Sequence, residues 1–138
     1  VAGIVEWIEI AKRPATEDLW LEFHVDGEPI PAILAPARAL FAPVRDGQGH
    51  PSYVFLPNRP DGATLRWAVP FHRGLSITAH NRGKAVLEDV ALLACVHPAE
   101  PSVTEGMMRL RGAYHRGTSA TDLHLTGRGR LVSRVCEQ

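Results

Sequence analysis

The sequence predicts an all-β fold, and three observations support this prediction. The segment from Leu75 to Asn81 alternates, with Leu75, Ile77 and Ala79 on one side and polar residues between them. A period of two is typical of a half-buried β-strand, because successive side chains leave opposite faces of the pleat. Apolar segments elsewhere are short and separated by turn signals, and no convincing helical period is present. This pattern favours a jelly-roll-type β-sandwich with a C-terminal β-hairpin extension.

The first strands are predicted from alternation that ends in a turn. Gly3–Ile10 alternates, and so does Leu19–Asp26, which ends in the dipeptide Asp26-Gly27 that is typical of hairpin turns. The core face of the second strand is predicted to carry Leu19, Leu21, Phe23 and Val25. Its opposite face is predicted to carry Trp20, Glu22 and His24. A short strand is expected at Ile30–Leu34.

Residues 35–63 are predicted to be irregular, because proline and glycine crowd this part of the sequence. One helical turn is expected near Pro36–Phe41, with proline at its first position. A connection of this length inside a compact domain is usually functional or part of an interface. A plain surface excursion is the alternative, and the sequence leaves both open.

Strands are predicted to resume at Thr64–Val69, Leu75–Asn81 and Ala85–His97. The last of these is apolar on both faces, which predicts a central strand that is covered on both sides. After a breaker at Pro98–Pro101, we expect a further hairpin and one more strand. They are assigned to Met107–Arg116, Thr121–Thr126 and Arg130–Val135.

The chain has 138 residues, of which 45% are apolar and 22% charged, an ordinary globular composition. Residues 1–97 are predicted to form the jelly-roll sandwich. Residues 98–138 are predicted to be an extension that completes the sandwich or pairs with a neighbouring subunit. No run approaches the roughly 18 apolar residues that a membrane span requires, and no signal peptide is visible. These features predict a soluble protein, cytoplasmic by default, without a membrane partner.

Arginine is concentrated after Glu100, although the formal net charge is zero. A basic segment can bind nucleic acid, but no known binding motif accompanies this one. Arginines at alternate strand positions predict instead a solvated face or pairing with carboxylates. We therefore expect no nucleic-acid partner.

The cysteines and histidines lack the spacing of a metal site. Cys95 and Cys136 form no CxxC motif, and Cys95 is predicted to be a buried small hydrophobe in an apolar strand, with a disulfide left as the alternative. Among the seven histidines no His-x-His or HExxH motif occurs. The histidines considered as metal ligands are His72, His80, His115 and His124. The sequence therefore predicts no metal and no cofactor.

Several motifs recur together and in order: GIVEWIEI, LEFHVDGEPIPAILAP followed by LFAP, WAVPFHRGLSITAHNRG, and VALLACV. In this order they resemble the first jelly roll of glycoside hydrolase family 172, formerly a domain of unknown function, whose members act on difructose anhydrides and related furanosides. The matching residues are Asp26, Gly27, Glu28, Pro36, Phe41, Pro70, Phe71, Arg73 and Asn81. The stretch MRLRGAYHRG…LTGRGRLV resembles the opening of the family's second jelly roll through Tyr114, Arg116, Gly127 and Gly129.

The resemblance implies a jelly-roll fold, assembly into homotrimers or hexamers, and pockets near subunit interfaces. Members of the family have two jelly rolls, and their catalytic carboxylates resemble nothing that can be placed in this sequence. No catalytic residue is therefore carried over.

Two tryptophans lie near polar groups on the predicted strands. An aromatic plane beside hydrogen-bonding side chains is what a sugar site uses. The predicted substrate-binding residues are Trp20, Glu22, His24, Trp67, His72 and Arg73. The alternative is that the tryptophans pack under the long loop or at a subunit interface.

Glycoside hydrolysis normally uses two carboxyl groups that flank the scissile bond. Glu22 and Asp26 share a strand face but would stand about 13 Å apart, so a partner such as Glu105 or Asp122 would have to come from elsewhere. The alternative is that Asp26 and Glu28 have no catalytic role, form the turn and carry solvated charges. The sequence thus predicts an oligomeric module that binds carbohydrate or is structural, with an interface glycosidase as the alternative.

Overall fold

The computed structural model describes residues 1–10, 18–41, 55–56 and 63–114. Most of the regular structure is antiparallel β, so the all-β prediction is confirmed. The elements are β1 (Gly3–Ile10), β2 (Leu19–Val25), β3 (Ile33–Pro36), α1 (Ala37–Leu40), β4 (Phe55–Leu56), β5 (Ala63–Leu65), β6 (Val69–Phe71), β7 (Leu75–Asn81), β8 (Leu92–Pro98) and α2 (Pro101–Glu105). Within these ranges no helix is long and apolar enough to cross a bilayer.

The strands form two antiparallel sheets. One has the order β3-β2-β7, and β2 pairs along its whole length with β7. The other has the order β4-β5-β1-β6, with β8 also paired to β1. On one edge of β1, β8 pairs with the residues from Gly3 to Ile10. On the other edge, β6 pairs with Gly3–Val5 and β5 pairs with Ile8–Ile10. The first strand is therefore the centre of the larger sheet.

Both sheets contribute to one hydrophobic core. In β2 every second residue is buried, as the alternation predicts, and Leu21 and Phe23 are almost fully enclosed. The larger sheet adds Val5, Ile8 and Ile10 from β1. Two sheets that share one core make a sandwich-like arrangement, which leaves the polar residues of β2 on an outer face.

The strands on either side of residues 35–63 begin and end at different residues from those predicted. The third strand begins at Ile33 because the Asp26-Gly27 turn is followed by several irregular residues. The helical turn is confirmed, although α1 starts at Ala37 and Pro36 is its N-cap. The strand predicted at Thr64–Val69 is divided into β5 and β6, because the residues between them leave the ladder.

The prediction of a long, covered strand at Ala85–His97 is wrong. The strand begins only at Leu92, because Asp89 has a φ of 58° and interrupts the extended chain. Among the described residues β8 pairs only with β1, and Leu93 and Val96 are about half exposed at 49% and 48%. An apolar composition on both faces is therefore not enough to place a strand at the centre of a sheet.

The strand predicted at Met107–Arg116 is absent over residues 107–114. The short helix α2 precedes this segment, with Pro101 in its first turn, where the missing N–H costs nothing. The segment then returns to the sheets, and the Gly112 N–H donates to the Ala32 carbonyl at 2.9 Å. Several predicted features lie outside the described residues: Arg116, Thr121–Thr126, Arg130–Val135, His115, Asp122, His124 and Cys136.

Candidate functional site

A hydrogen-bonded cluster lies on the outer face of the β3-β2-β7 sheet. Glu22 and His24 lie two residues apart on β2, and His80 lies on the neighbouring strand β7. The Glu22 carboxylate bridges the two imidazoles: its Oε1 is 2.6 Å from His24 Nε2, and its Oε2 is 2.6 Å from His80 Nε2. His24 Nδ1 lies 2.9 Å from the carbonyl oxygen of Glu28. Alternation on β2 and pairing with β7 bring these groups together.

The cluster favours opposite charges on Glu22 and His24. Hydrogen bonds from His24 and then His80 lower the pKa of Glu22, against a smaller opposing effect of burial. The hydrogen bond to the Glu28 carbonyl, followed by that to Glu22, raises the pKa of His24. A protonated His24 donates from both ring nitrogens, which is the arrangement its two acceptors require.

We expect the stability of the protein to depend on the protonation of His24. Because the pKa of His24 is raised on folding, its contribution is present below the ordinary value near pH 6.5 and is lost as the pH rises through the higher folded value. Melting temperatures of the wild type and His24→Gln should therefore converge in mildly alkaline buffer. A difference that stays constant across this pH range would contradict the prediction.

Trp20 borders the cluster but is not an open platform. The guanidinium carbon of Arg82 lies 3.9 Å from the ring centre, within the range of a cation–π contact. The ring of Tyr114 meets it edge to face, at 5.7 Å and 88°. Two segments that are distant in sequence thus cover this tryptophan and leave the polar groups beside it accessible.

A second cluster forms where β2 ends. Asp26 and Gly27 have φ values of 58° and 72°, and the Glu28 N–H donates to the Val25 carbonyl, so the predicted turn is confirmed. The carboxylate of Asp26 then reaches the corner between β6 and β7. Its Oδ1 accepts the backbone N–H groups of His72 and Arg73 at 2.7 Å each, and that of Gly74 at 3.3 Å.

Asp26 is buried and charged rather than solvated. Its side chain is only 4% exposed, and its Oδ2 lies 3.2 Å from the guanidinium of Arg109. Burial alone would raise the pKa of Asp26, but the N–H groups of Arg73, His72 and Gly74 and the charge of Arg109 outweigh it, so this pKa is lowered. The expectation of a solvated Asp26 is therefore wrong, because the carboxylate closes a backbone corner.

Glu28 connects the two clusters. Its carbonyl accepts from His24, while its carboxylate pairs with Arg109 and Arg111. The hydrogen bond from Arg111 is the main cause of the lowered pKa of Glu28. Two of the arginines after Glu100, Arg109 and Arg111, thus pair with a carboxylate of the same chain, so Glu28 is an ion-paired and only partly exposed charge.

Beside Asp26 is a cavity of about 260 Å³. In it, His72 Nε2 is 3.8 Å from a Glu105 oxygen, and His72 Nδ1 is 3.4 Å from the Thr104 hydroxyl. The lining residues are Asp26, Pro70, Phe71, His72, Thr104, Glu105, Met107 and Arg109. Two carboxylates, Asp26 and Glu105, therefore face one concave space.

The six predicted binding residues fall into three places. Trp20, Glu22 and His24 lie together on the outer face, while His72 and Arg73 form the corner around Asp26. Trp67 packs against the hydrophobic core. Sequence reasoning did not include the residues that complete the outer face, namely His80, Arg82 and Tyr114. Of these, only His80 could have been found from the sequence, because it lies on the polar side of the alternating segment Leu75–Asn81.

No protein-family model matches the chain, and no curated protein matches it significantly.

Proposed function

We propose that this chain is a jelly-roll-type module, related to the furanoside-acting family 172, which binds a carbohydrate on the outer face of the β3-β2-β7 sheet. The bridging of two histidines by Glu22 is the observation that carries the proposal. It fixes an acceptor and two imidazoles in a region that is only partly shielded: the Glu22 side chain is 25% exposed and that of His80 is 40% exposed. Preorganised polar groups of this kind suit the hydroxyl groups of a sugar.

The aromatic border supports the same proposal. Arg82, held over Trp20, presents N–H donors beside the cluster, and the Tyr114 ring supplies apolar surface. A sugar ring has an apolar face and a polar rim, so it would contact both kinds of surface at once. Because Arg82 already covers the indole, the ligand would dock against the guanidinium and the imidazoles rather than stack on the tryptophan.

Binding without hydrolysis is favoured by the charges of the carboxylates. A glycosidase needs one carboxyl group with a raised pKa to act as the general acid. Among the described carboxyl groups, those with a clear shift, Glu22, Asp26 and Glu28, all have lowered pKa values. Ionised groups of this kind accept hydrogen bonds from a ligand but hold no proton to donate.

The alternative function is a glycoside hydrolase that uses the cavity at Asp26. The observation in its favour is that Asp26 and Glu105 line the same concave space. Against it, both oxygens of Asp26 are engaged, one by three backbone N–H groups and the other by Arg109. A second subunit could supply a further carboxylate at this place.

Self-association is the third part of the proposal, with a trimer or hexamer as the expected form. It is supported by β8, which within the described ranges has β1 as its one pairing partner and leaves Leu93 and Val96 half exposed. Edge strands with apolar side chains tend to pair with another chain. Light scattering of the full chain tests this part, and a monomer at all concentrations would contradict it.

The test of binding is calorimetric titration with fructo-oligosaccharides and arabinofuranosides. We expect saturable binding to the wild type, with Glu22→Gln and His80→Ala each weakening affinity by about tenfold or more, as loss of a charged hydrogen bond does. Glu88→Gln, a charge-matched change at an exposed position, is the control and should bind normally. Absence of binding to every furanoside would overturn the proposal, whereas turnover that Asp26→Asn abolishes would replace it by the hydrolase.

A further inference from the structure

A third cluster lies on the outer face of the larger sheet, which contains neither β2 nor β7. It consists of Glu6 on β1 and of Cys95 and His97 on β8. His97 Nε2 is 2.7 Å from Glu6 Oε2, and Cys95 Sγ is 3.8 Å from His97 Nε2 and 4.0 Å from Glu6 Oε2. A thiol, an imidazole and a carboxylate thus converge on one point of the surface.

The antiparallel register of β1 against β8 brings these groups together. Ile4 is opposite His97 and Val5 is opposite Val96, and the same register continued by one residue sets Glu6 beside Cys95. Cys95 and His97 are two positions apart on β8, so their side chains leave the same face of the sheet. The pairing then shifts between Val5 and Trp7, which leaves Glu6 as the extra residue of a β-bulge.

We propose that Glu6, Cys95 and His97 form a binding site for a divalent zinc ion. Zinc is bound tetrahedrally by Cys, His and carboxylate ligands, with ligand atoms about 3.3–3.8 Å apart for bonds of about 2.0–2.3 Å. The three donor atoms lie within 4.8 Å of one another. Only a small opening of the Glu6–His97 hydrogen bond is needed to admit the ion between them.

The choice of zinc follows from the donor set and the exposure. Thiolate and imidazole donors favour zinc over magnesium and calcium, which prefer oxygen ligands. Glu6 and His97 are 61% and 62% exposed in their side chains, so the fourth position is open to water. Because the thiol must lose its proton on binding, affinity for the ion should decrease as the pH is lowered.

The site would join two strands that are far apart in sequence. Glu6 and Cys95 are separated by 89 positions, and the ion would fix the edge strand β8 to the centre of its sheet. An ion that binds only the folded chain raises the melting temperature in proportion to the logarithm of its concentration. The thermal response therefore gives a measurement of binding that does not depend on any activity.

The experiment titrates the full chain, freed of metal by a chelator, with Co²⁺ as a spectroscopic probe and then with Zn²⁺. We expect one equivalent of Co²⁺ to produce a thiolate-to-cobalt charge-transfer band that Zn²⁺ abolishes. Cys95→Ser should eliminate this band, and Glu6→Gln and His97→Gln should weaken binding by about tenfold or more. Cys136→Ser is the matched control and should retain the band.

A melting curve with and without Zn²⁺ gives the second measurement. The wild type and Cys136→Ser should melt at a higher temperature with Zn²⁺, and Cys95→Ser should not respond. Circular dichroism without metal shows whether each variant is folded, so that a lost band is not mistaken for a lost fold. The proposal is overturned if the wild type gives no band at one equivalent, if Cys136→Ser loses it, or if Cys95→Ser keeps the zinc response.

Discussion

Replacing Asp26 by alanine should lower the free energy of unfolding by about 3 kcal/mol. The change removes the acceptor of three backbone N–H groups, from His72, Arg73 and Gly74, and leaves Arg109 without its nearly buried partner. Hydrogen bonds to a charged acceptor contribute about 1.5–3 kcal/mol each when measured singly, and those that share one oxygen contribute less than their sum. Urea denaturation at neutral pH is the measurement.

Two further variants separate the charge of Asp26 from its backbone geometry. Asp26→Asn keeps an acceptor oxygen, so it should cost less than the alanine change. Asp26→Gly is the control for the backbone, because glycine adopts the φ of 58° without a steric cost but also lacks the carboxylate. We expect it to recover about 1 kcal/mol of the loss seen with alanine and to keep the rest. An Asp26→Gly variant as stable as the wild type would show that the carboxylate contributes nothing.

The effect of Asp26 should also depend on pH. Its pKa is lowered on folding, so the stabilisation is present above the ordinary value of 3.8 and is lost as the pH falls through the lower folded value. The difference in stability between the wild type and Asp26→Asn should accordingly shrink in acid. A difference that grows as the pH falls would contradict this assignment.

Replacing Gly3 by alanine should cost about 2 kcal/mol of folding free energy. A Cβ atom at this position would lie 2.7 Å from Phe71 Cζ and 2.9 Å from the carbonyl oxygen of His97. The aromatic ring could rotate away, but the carbonyl belongs to the paired strand β8 and could move only with that strand. Gly3 is therefore required where β1 pairs with β6 on one side and β8 on the other.

Gly74→Ala is the control for this prediction. No atom lies within 4 Å of a Cβ placed at Gly74, and no left-handed φ is present there. We expect its denaturation midpoint to stay close to that of the wild type. If both glycine variants are equally stable, the close approach at Gly3 does not hold in solution.

The all-β class and several strands could be predicted because their side chains alternate along the chain. In β2 the apolar residues Leu21 and Phe23 mark the buried side without any knowledge of the partner strands. The limits of β8 could not be obtained in this way, because a run that is apolar on both faces does not show which neighbours it will have. The left-handed Asp89 that shortens it has no strong signal in the sequence either.

The candidate site was only partly predictable for a related reason. The face that carries Glu22 and His24 follows from alternation within one strand, whereas the contribution of His80 depends on the register of β2 against β7. The role of Asp26 depends on a corner 46 residues later in the chain. The Glu6, Cys95 and His97 cluster depends on the register of β1 against β8, which brings together residues 89 positions apart in the chain.

The central place of β1 has a consequence for biosynthesis. The ribosome completes β1 before β5, β6 and β8, its partners in the described ranges. The last of these, β8, follows only about 80 residues later, a delay of roughly 4–16 s at typical translation rates. During this interval one side of the nascent strand lacks its native neighbour and is open to pairing with other polypeptides. We expect co-expression of chaperones that bind exposed extended segments to increase the yield of folded protein. This increase should exceed that from a substitution that only stabilises the folded state.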